Sequence, residues 1–480
     1  MFVGRERELA ELERLYAKGG FQMVVLYGRR RVGKTTLALE FAKDKPLLFF
    51  TAKLQSDPLN LAELSRQVNA FFGNPAATPS FRTWDDAFAY LAQRAGDSRI
   101  VFMFDEFPFA AKMNQALVST LQIAVDRTLA GSNIFLIVTG SNQGFMEEQV
   151  LGRSPIRGGA EALGEKNPLF GRRTGQIHLG PFNYRDAASM LSRLEPQELV
   201  EYYACFGGTP YYLSQLDSSE SLAQNICRLY FQKEGMLYEE PMMLLRQELR
   251  EPALYNSILS AIAAGANTPA HIADRIGSDR TTVGKYLATL VGMHLIRRSV
   301  PFGETSRTSR KGIYAIADPC FAFWYRFVEP NIDNVERGAG DLAAMRVVGK
   351  EPLSTYEGHW FEEICIERVI DMARRGELPF GPFQFGNWWG TNPALRERDD
   401  VDVVAASPDT REILLGECKW RESFNESAAI EKLGLRSRIF EKDYDKFYYA
   451  LFTKHPLSDA TRSRHAEDGF LFMDVAGLYA

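Results

Sequence analysis

Three groups of residues in this sequence could do chemistry. The first is residues 28–36, GRRRVGKTT. Gly28, Gly33, Lys34 and Thr35 match the spacing G-x-x-x-x-G-K-[ST]. Glycines at such positions let backbone N–H groups curl around phosphate oxygens, and a following helix adds the positive end of its dipole. Lys34 would reach the β- and γ-phosphates of ATP, and the Thr35 hydroxyl would hold Mg²⁺. Thr36 completes the nucleotide-contacting stretch. The second group is Asp105-Glu106, which ends an apolar run at 100–104. Asp105 would hold Mg²⁺, directly or through water, and Glu106 would orient the attacking water. Alone, an acidic pair after a strand is often a solvated turn. Downstream of the glycine loop it reads as the second half of a phosphate-handling site.

The third group lies in the last quarter of the chain. Residues 413–420 read as a strand in which Glu417 and Lys419 point the same way, because side chains alternate. Asp402 lies on the preceding strand candidate, where Val401, Val403 and Ala405 alternate with Asp400, Asp402 and Val404. A carboxylate followed at this distance by Glu-x-Lys is the PD-(D/E)xK nuclease pattern. Asp402 and Glu417 offer hard oxygen ligands for Mg²⁺, with the Cys418 carbonyl as a further donor. The ion would polarise a phosphodiester and acidify a bound water. Lys419 would position that water or stabilise transition-state charge. Glu362 lies on a helical stretch at 357–374 and shares a face with Ile366, Val369 and Ala373. A carboxylate on an apolar face needs a partner, and a metal shell would supply one. The usual proline before the aspartate is absent; Val401 stands there. The same pattern also arises on solvated strand edges.

Positioning the first two groups calls for strands alternating with helices. Apolar runs at 23–27, 47–51, 100–104 and 134–138 are strand candidates, and helical patterns fill 58–72 and 84–95. That alternation implies a parallel sheet with helices on both faces. The fourth run ends in Thr139-Gly140-Ser141-Asn142. A polar side chain there, Ser141 first, reads the γ-phosphate or else belongs to a plain turn. Arg172 and Arg173 follow a glycine- and proline-bearing loop at 151–171. They are solvated surface residues or a charge-stabilising finger.

Residues 250–325 have the pattern of a winged helix. Ile258, Leu259 and Ile262 mark a first helix, residues 270–276 a second and 280–291 a third. Val283, Leu287 and Leu290 share one face of the third and would pack inward. Residues 293–298 and 312–316 would form the two strands of the wing. Between 280 and 311 stand seven basic residues, Arg280, Lys285, Arg297, Arg298, Arg307, Arg310 and Lys311, against the single acid Glu304. Such a local excess suits DNA phosphates, although winged helices also serve protein contacts. The aromatic run at 318–328 reads as a helix that docks the next domain, or as a base-stacking surface.

Bulk properties narrow the classes. At 480 residues, with 45% hydrophobic and 24% charged content, the chain has ordinary globular composition and room for about three domains. A net charge of −5 means that any nucleic-acid surface must be local. The five cysteines are scattered without a C-x-x-C, so neither a zinc site nor a disulfide framework is expected. No signal-peptide pattern and no membrane-spanning apolar run is present, which suggests a cytoplasmic protein without membrane partners.

The opening FVGRE, the GRRRVGKTT loop, the FDEF around Asp105, the TGS after the fourth strand and the FGRRT near Arg173 together resemble the archaeal-type AAA ATPases, P-loop proteins close to the STAND class of switches. Residues 206–213, FGGTPYYL, extend the resemblance to the family's helical lid. The resemblance implies that Val3 and Gly4 line the adenine pocket and that Arg173 senses the γ-phosphate. It also implies a winged helix and a PD-(D/E)xK domain, with Phe361-Glu362, residues 402–405 and residues 416–420 as its motifs.

The expected fold is α/β: a P-loop core at 1–183, a helical lid at 184–248, a winged helix at 249–330, a linker at 331–345 and a restriction-endonuclease-like domain at 346–480. The expected function is ATP hydrolysis controlling the binding, and the Mg²⁺-dependent cleavage, of DNA. The alternative is a nucleotide-gated DNA-binding regulator whose nuclease fold is inactive. Homo-oligomerisation stays open at this level.

Overall fold

The computed structural model describes residues 2–75, 78–152, 169, 171–392, 396–465 and 469–480. Most of the loop expected at 151–171 lies outside these. The chain forms two compact units, one of residues 1–182 with 209–214, the other of residues 183–208 with 215–480.

The first unit is built on a parallel sheet of five strands: β1 (Gln22–Tyr27), β2 (Leu47–Thr51), β3 (Ile100–Asp105), β4 (Ile134–Gly140) and β5 (Gly175–His178). Their order is β2-β3-β4-β1-β5, and every neighbouring pair runs parallel. β3 and β4 are buried throughout and β1 nearly so. That is why they read as unbroken apolar runs instead of alternating ones. Strand alternation then divides the core in two. Met23, Val25, Phe102, Phe104 and Leu136 pack with Trp84, Phe88 and Leu91 of the Trp84–Ala95 helix. Val24, Leu26, Val101, Met103 and Ile137 pack with Leu12 and Leu15 of the Glu6–Tyr16 helix and with Leu37 and Phe41 of the Lys34–Ala42 helix. Helices on both faces and a parallel sheet agree with the expected α/β class. Strand β5 is the departure. It has four residues with only Ile177 buried, so it carries no periodic signal, and its pairing with β1 makes it a strand.

In the second unit, three helices, Pro252–Ala263, Pro269–Ile276 and Arg280–Gly292, precede an antiparallel pair, β6 (Ile296–Ser299) and β7 (Ile313–Ile316). Val283, Leu287 and Leu290 are buried. The aromatic run forms helix Pro319–Phe323 and a π-helical continuation, with Phe321, Phe323, Trp324, Tyr325 and Phe327 inside. That burial favours the docking helix over base stacking. The stretch expected as a linker carries the helices Ile332–Glu336 and Gly340–Val347. Gly338 and Gly340 mark the turn between them and the start of the second, and that turn accounts for the linker-like composition.

The second sheet has the order β12-β11-β10-β9-β8, from β8 (Gln384–Asn392), β9 (Glu397–Ser407), β10 (Glu412–Lys419), β11 (Lys446–Thr453) and β12 (Phe470–Asp474). β8, β9 and β10 pair antiparallel; β10, β11 and β12 pair parallel. The long helix Glu351–Arg375 packs on β9 and β10. The Glu426–Arg436 helix sends Leu433 to Ile413 and Leu415. The alternation expected across 400–405 does not hold. Val401 and Val404 enter the same core cluster, and the β8 pairing shifts register beside them. A bulge there adds a residue and re-aims its neighbours.

Candidate functional site

Gly28 leaves β1 at φ 154, and a Cβ there would collide with the Leu179 carbonyl. Gly33 caps the Lys34–Ala42 helix at φ 92, a left-handed conformation that glycine adopts without strain. Between them the loop folds over Lys34, whose Nζ donates to the carbonyls of Gly28 (2.9 Å) and Arg29 (3.0 Å). The ammonium is buried and committed to the loop's own oxygens, which a phosphate would replace. Thr35 is half-buried and Thr36 exposed on the first turn.

Asp105 ends β3 next to β2 and β4. The Thr139 hydroxyl donates to Asp105 Oδ1 at 2.5 Å and the Thr51 hydroxyl to Oδ2 at 3.3 Å. Burial pushes the Asp105 carboxyl up. Thr139 opposes that shift, the Glu106 charge adds to it, and Lys34 counters it. Thr139 also accepts the Glu106 N–H at 3.2 Å, so one hydroxyl ties both acidic residues together. Glu106 has φ 51, and its Oε2 accepts from the Ser141 N–H (3.2 Å) and hydroxyl (2.9 Å). No sequence pattern marks Thr51 or Thr139 as a partner of Asp105. Only the register Thr51↔Asp105 and the β3-β4 pairing bring them to the carboxylate.

Other side chains brace the same unit. Arg5 donates to the carbonyls of Val32 (3.2 Å) and Gly180 (2.6 Å) and lies 4.4 Å from the Phe182 ring centre. Val3 and Gly4, with Gly4 at φ 65, precede it. Arg29 donates to the Thr209 hydroxyl, and Arg31 sits 5.0 Å from the Tyr211 ring centre. The segment 209–212 therefore touches the phosphate loop itself, a pairing across some 180 residues that no local pattern contains. Arg172 pairs with Asp126 (2.7 and 2.9 Å), and Arg173 donates to the Leu151 carbonyl at 3.1 Å.

The seven basic residues between 280 and 311 divide into two sets. Arg280, Lys285, Arg307 and Arg310 are exposed without a described ion pair, the first two on the Arg280–Gly292 helix. Arg297, Arg298 and Lys311 are engaged. Arg297 grips Glu363 with two nitrogens, one bond measuring 2.5 Å. Arg298 donates to the carbonyls of Ser306 and Ser309 and closes the hairpin loop. Lys311 pairs with Glu304 at 2.6 Å. The Phe302 N–H, in that loop, donates to the Asn387 carbonyl at 2.9 Å, and its ring packs against the C-terminal core.

At the C-terminal cluster, Asp402 Oδ2 accepts the Cys418 N–H at 2.7 Å. Burial drives the Asp402 carboxyl well up, and the charges of Glu417 and Glu362 push in the same direction. These three acids therefore share one neighbourhood. Glu362 is more open than expected, with 36% of its side chain exposed and His359 at 3.6 Å. The buried stripe of its helix runs through Glu357, Trp360, Phe361, Ile364, Arg368 and Val369, and of the face assigned from sequence only Val369 lies in it. Both oxygens of Glu417 are engaged: Lys419 holds Oε1 and Arg436 holds Oε2. Arg436 also bonds to Asp399 at 2.9 and 3.0 Å. Burial works to raise the Asp399 carboxyl, but Arg436 and Asn392 outweigh it and hold the group at about 2. Neither Asp399 nor Arg436 belongs to the sequence pattern. Among the described residues, no group of three or more His, Cys, Asp or Glu side chains is arranged to hold a metal ion.

Residues 2–216 match a family described as an ATPase domain predominantly from Archaea. Residues 324–430 match a family described as Archaea bacterial proteins of unknown function. An uncharacterised protein of Methanocaldococcus jannaschii is 29% identical over 458 residues, covering 95% of this chain and 96% of its own. An uncharacterised ATP-binding protein of the same organism is 47% identical over 47 residues, 10% of this chain and 80% of its own. Among solved structures, a Walker-type ATPase of Pyrococcus abyssi aligns at a TM-score of 0.49 and 20% identity, over 68% of this chain and 96% of that one. The similarity of residues 2–216 to an ATPase domain supports ATP binding and ATPase activity for this part of the chain. No described helix is long and apolar enough to cross a membrane.

Proposed function

We propose that this chain is an ATP-hydrolysing switch whose second unit binds DNA. The carrying observation is the shared hydroxyl of Thr139 on β4, which ties down Asp105 and Glu106 one strand away from β1, the strand that leads into the Lys34 loop. In this reading the loop N–H groups and Lys34 grip the phosphates once Lys34 releases the Gly28 and Arg29 carbonyls. Thr35 and Asp105 supply hydroxyl and carboxylate oxygens, a donor set that suits Mg²⁺. The ion, when bound, neutralises charge on the β- and γ-phosphates. Glu106 must turn from Ser141 to the attacking water, so Ser141 is the residue that holds the acid in reserve. Val3 and Gly4 at the adenine and Arg173 at the γ-phosphate complete the proposed nucleotide set.

For DNA, support comes from the exposed Arg280, Lys285 and Arg310 of a winged-helix-like segment. Phosphate contacts of this kind fix a protein on the duplex without reading sequence. The test is a DNA-binding titration with and without ATP. Nucleotide-independent binding would remove the switch, and absence of binding would remove DNA as the partner.

Cleavage of the bound strand by Asp402, Glu417, Lys419 and Glu362 is the second reading, favoured by the joint pressure of Glu417 and Glu362 on Asp402. The donor set does not fit a divalent ion as it stands, because both Glu417 oxygens are already bound by cations. The regulator without cleavage is therefore the better-supported form.

A further inference from the structure

The geometry points to Arg436 as the resident cation of the C-terminal carboxylate cluster, holding the Glu417 oxygen that a divalent ion would need, so that the cluster binds neither Mg²⁺ nor Mn²⁺. The guanidinium is 1% exposed and bridges Asp399 and Glu417, which lie on neighbouring strands. The hydrogen bonds account for all four oxygens of those two acids. Asp399 Oδ1 takes Arg436 Nε and Nη2 together with the Asp400 N–H at 3.0 Å. Asp399 Oδ2 takes Asn392 at 3.0 Å. Glu417 Oε1 takes Lys419, and Oε2 takes Arg436. Asp400 also reaches Arg436 at 3.4 Å, and Lys432 reaches Asp399 at 3.5 Å, so cations already attend both acids.

A planar guanidinium offers donors in a fixed fork, which suits two carboxylates held on adjacent strands. A metal on Glu417 Oε2 would have to displace it from that oxygen, leaving the buried guanidinium on Asp399 and Asp400 alone. Weakening the pairing of a charge in such a place is unfavourable. Asp402, the acid that the nuclease pattern assigns to the metal, accepts the Cys418 N–H, and the carboxylate that joins Glu417 on Arg436 is Asp399. The sequence pattern is thus retained while the ion is replaced by a side chain from the Glu426–Arg436 helix. This inference rests on the regulator reading of the C-terminal sheet and is independent of ATP and DNA binding.

The test is a Mn²⁺ titration of the full chain without nucleotide or DNA. Free Mn²⁺ is followed by electron paramagnetic resonance, and melting is compared in Mn²⁺ and in EDTA. The expected result is no uptake at this cluster and no shift in Tm. Uptake that Glu417→Gln leaves unchanged lies elsewhere and supports the assignment. Uptake, or a Tm gain, that Glu417→Gln abolishes overturns it. Arg436→Met, which removes the charge at similar volume, should lower Tm in EDTA and recover part of the loss in Mn²⁺. A folded Arg436→Met protein with no Mn²⁺ response shows that Arg436 is not what excludes the ion, and also overturns the assignment. If that variant does not fold, the wild-type and Glu417→Gln titrations decide.

Discussion

Arg297 on β6 and Glu363 on the Glu351–Arg375 helix form a two-pronged ion pair, and both side chains are less than one-third exposed. This pair joins the hairpin to the helix that carries the C-terminal sheet. It also changes what Arg297 is for: the guanidinium is part of the second unit's framework, so the proposed DNA contact rests on Arg280, Lys285 and Arg310.

The first prediction follows from that pair. Arg280→Ala with Lys285→Ala should weaken duplex DNA binding and reduce its salt dependence, the slope falling by about 0.9 for each phosphate no longer neutralised. Arg297→Ala should instead lower stability by roughly 1–2 kcal/mol, the scale of a charge-assisted, partly buried pair. Filter binding at several salt concentrations, with melting curves, separates the two. If Arg297→Ala flattens the salt slope and leaves Tm unchanged, the pair is not structural.

The second prediction concerns the hydroxyl that links the two acidic residues. Thr139→Val keeps the shape but leaves the Glu106 N–H without its acceptor and Asp105 with only the Thr51 hydroxyl as side-chain donor. An unsatisfied buried group of this kind costs roughly 1–3 kcal/mol. ATP turnover should fall while nucleotide binding is kept, as for Glu106→Gln, whereas Lys34→Ala should lose binding. A fluorescent-nucleotide titration beside a phosphate-release assay gives both readings. Full turnover in Thr139→Val would remove Thr139 from the site.

The third prediction is steric. Gly28→Ala drives a methyl into the backbone carbonyl of Leu179, which cannot rotate away as a side chain could. Overpacking of this order costs roughly 1–3 kcal/mol. Melting should show the loss, and Gly33→Ala, where a Cβ meets open space but φ is 92, should show mainly the strain of the backbone.

The fourth prediction is a pH dependence. Burial pushes Glu357 and Glu367 up from 4.5 to about 7. Glu357 receives the Trp420 N–H at 3.0 Å and feels Glu201 and Lys454. Glu367 takes a backbone bond from Tyr184 and feels Glu363, Arg297 and Asp186, while no protein group bonds its Oε2. Between pH 4.5 and about 7 the folded chain holds protons that the unfolded chain has released. Stability should therefore be greatest near the acidic end and fall as pH rises through that window, by roughly 3 kcal/mol per group at most. Glu367→Gln should flatten part of the slope in melting curves between those pH values. An unchanged slope would place the titration on other groups.

What the sequence determined by itself was local and strongly patterned. The phosphate loop, the acidic pair after β3 and the first four parallel strands were legible because continuous apolar runs and glycine spacing are written in consecutive residues. The inward face of the Arg280–Gly292 helix was legible for the same reason, as a 3.6-residue period. Only the tertiary structure decided which charges remain exposed, which hydroxyls reach Asp105 and which cation sits between the C-terminal acids. Arg297 and Glu363 are 66 residues apart, Thr139 and Asp105 are 34, and Arg436 and Asp399 are 37. Pairing at such separations is set by strand register and helix packing, and no local period records it. The bulge near Asp402 has the same origin: one extra residue in β9 breaks the alternation read across 400–405 and brings Val401 and Val404 into one core cluster.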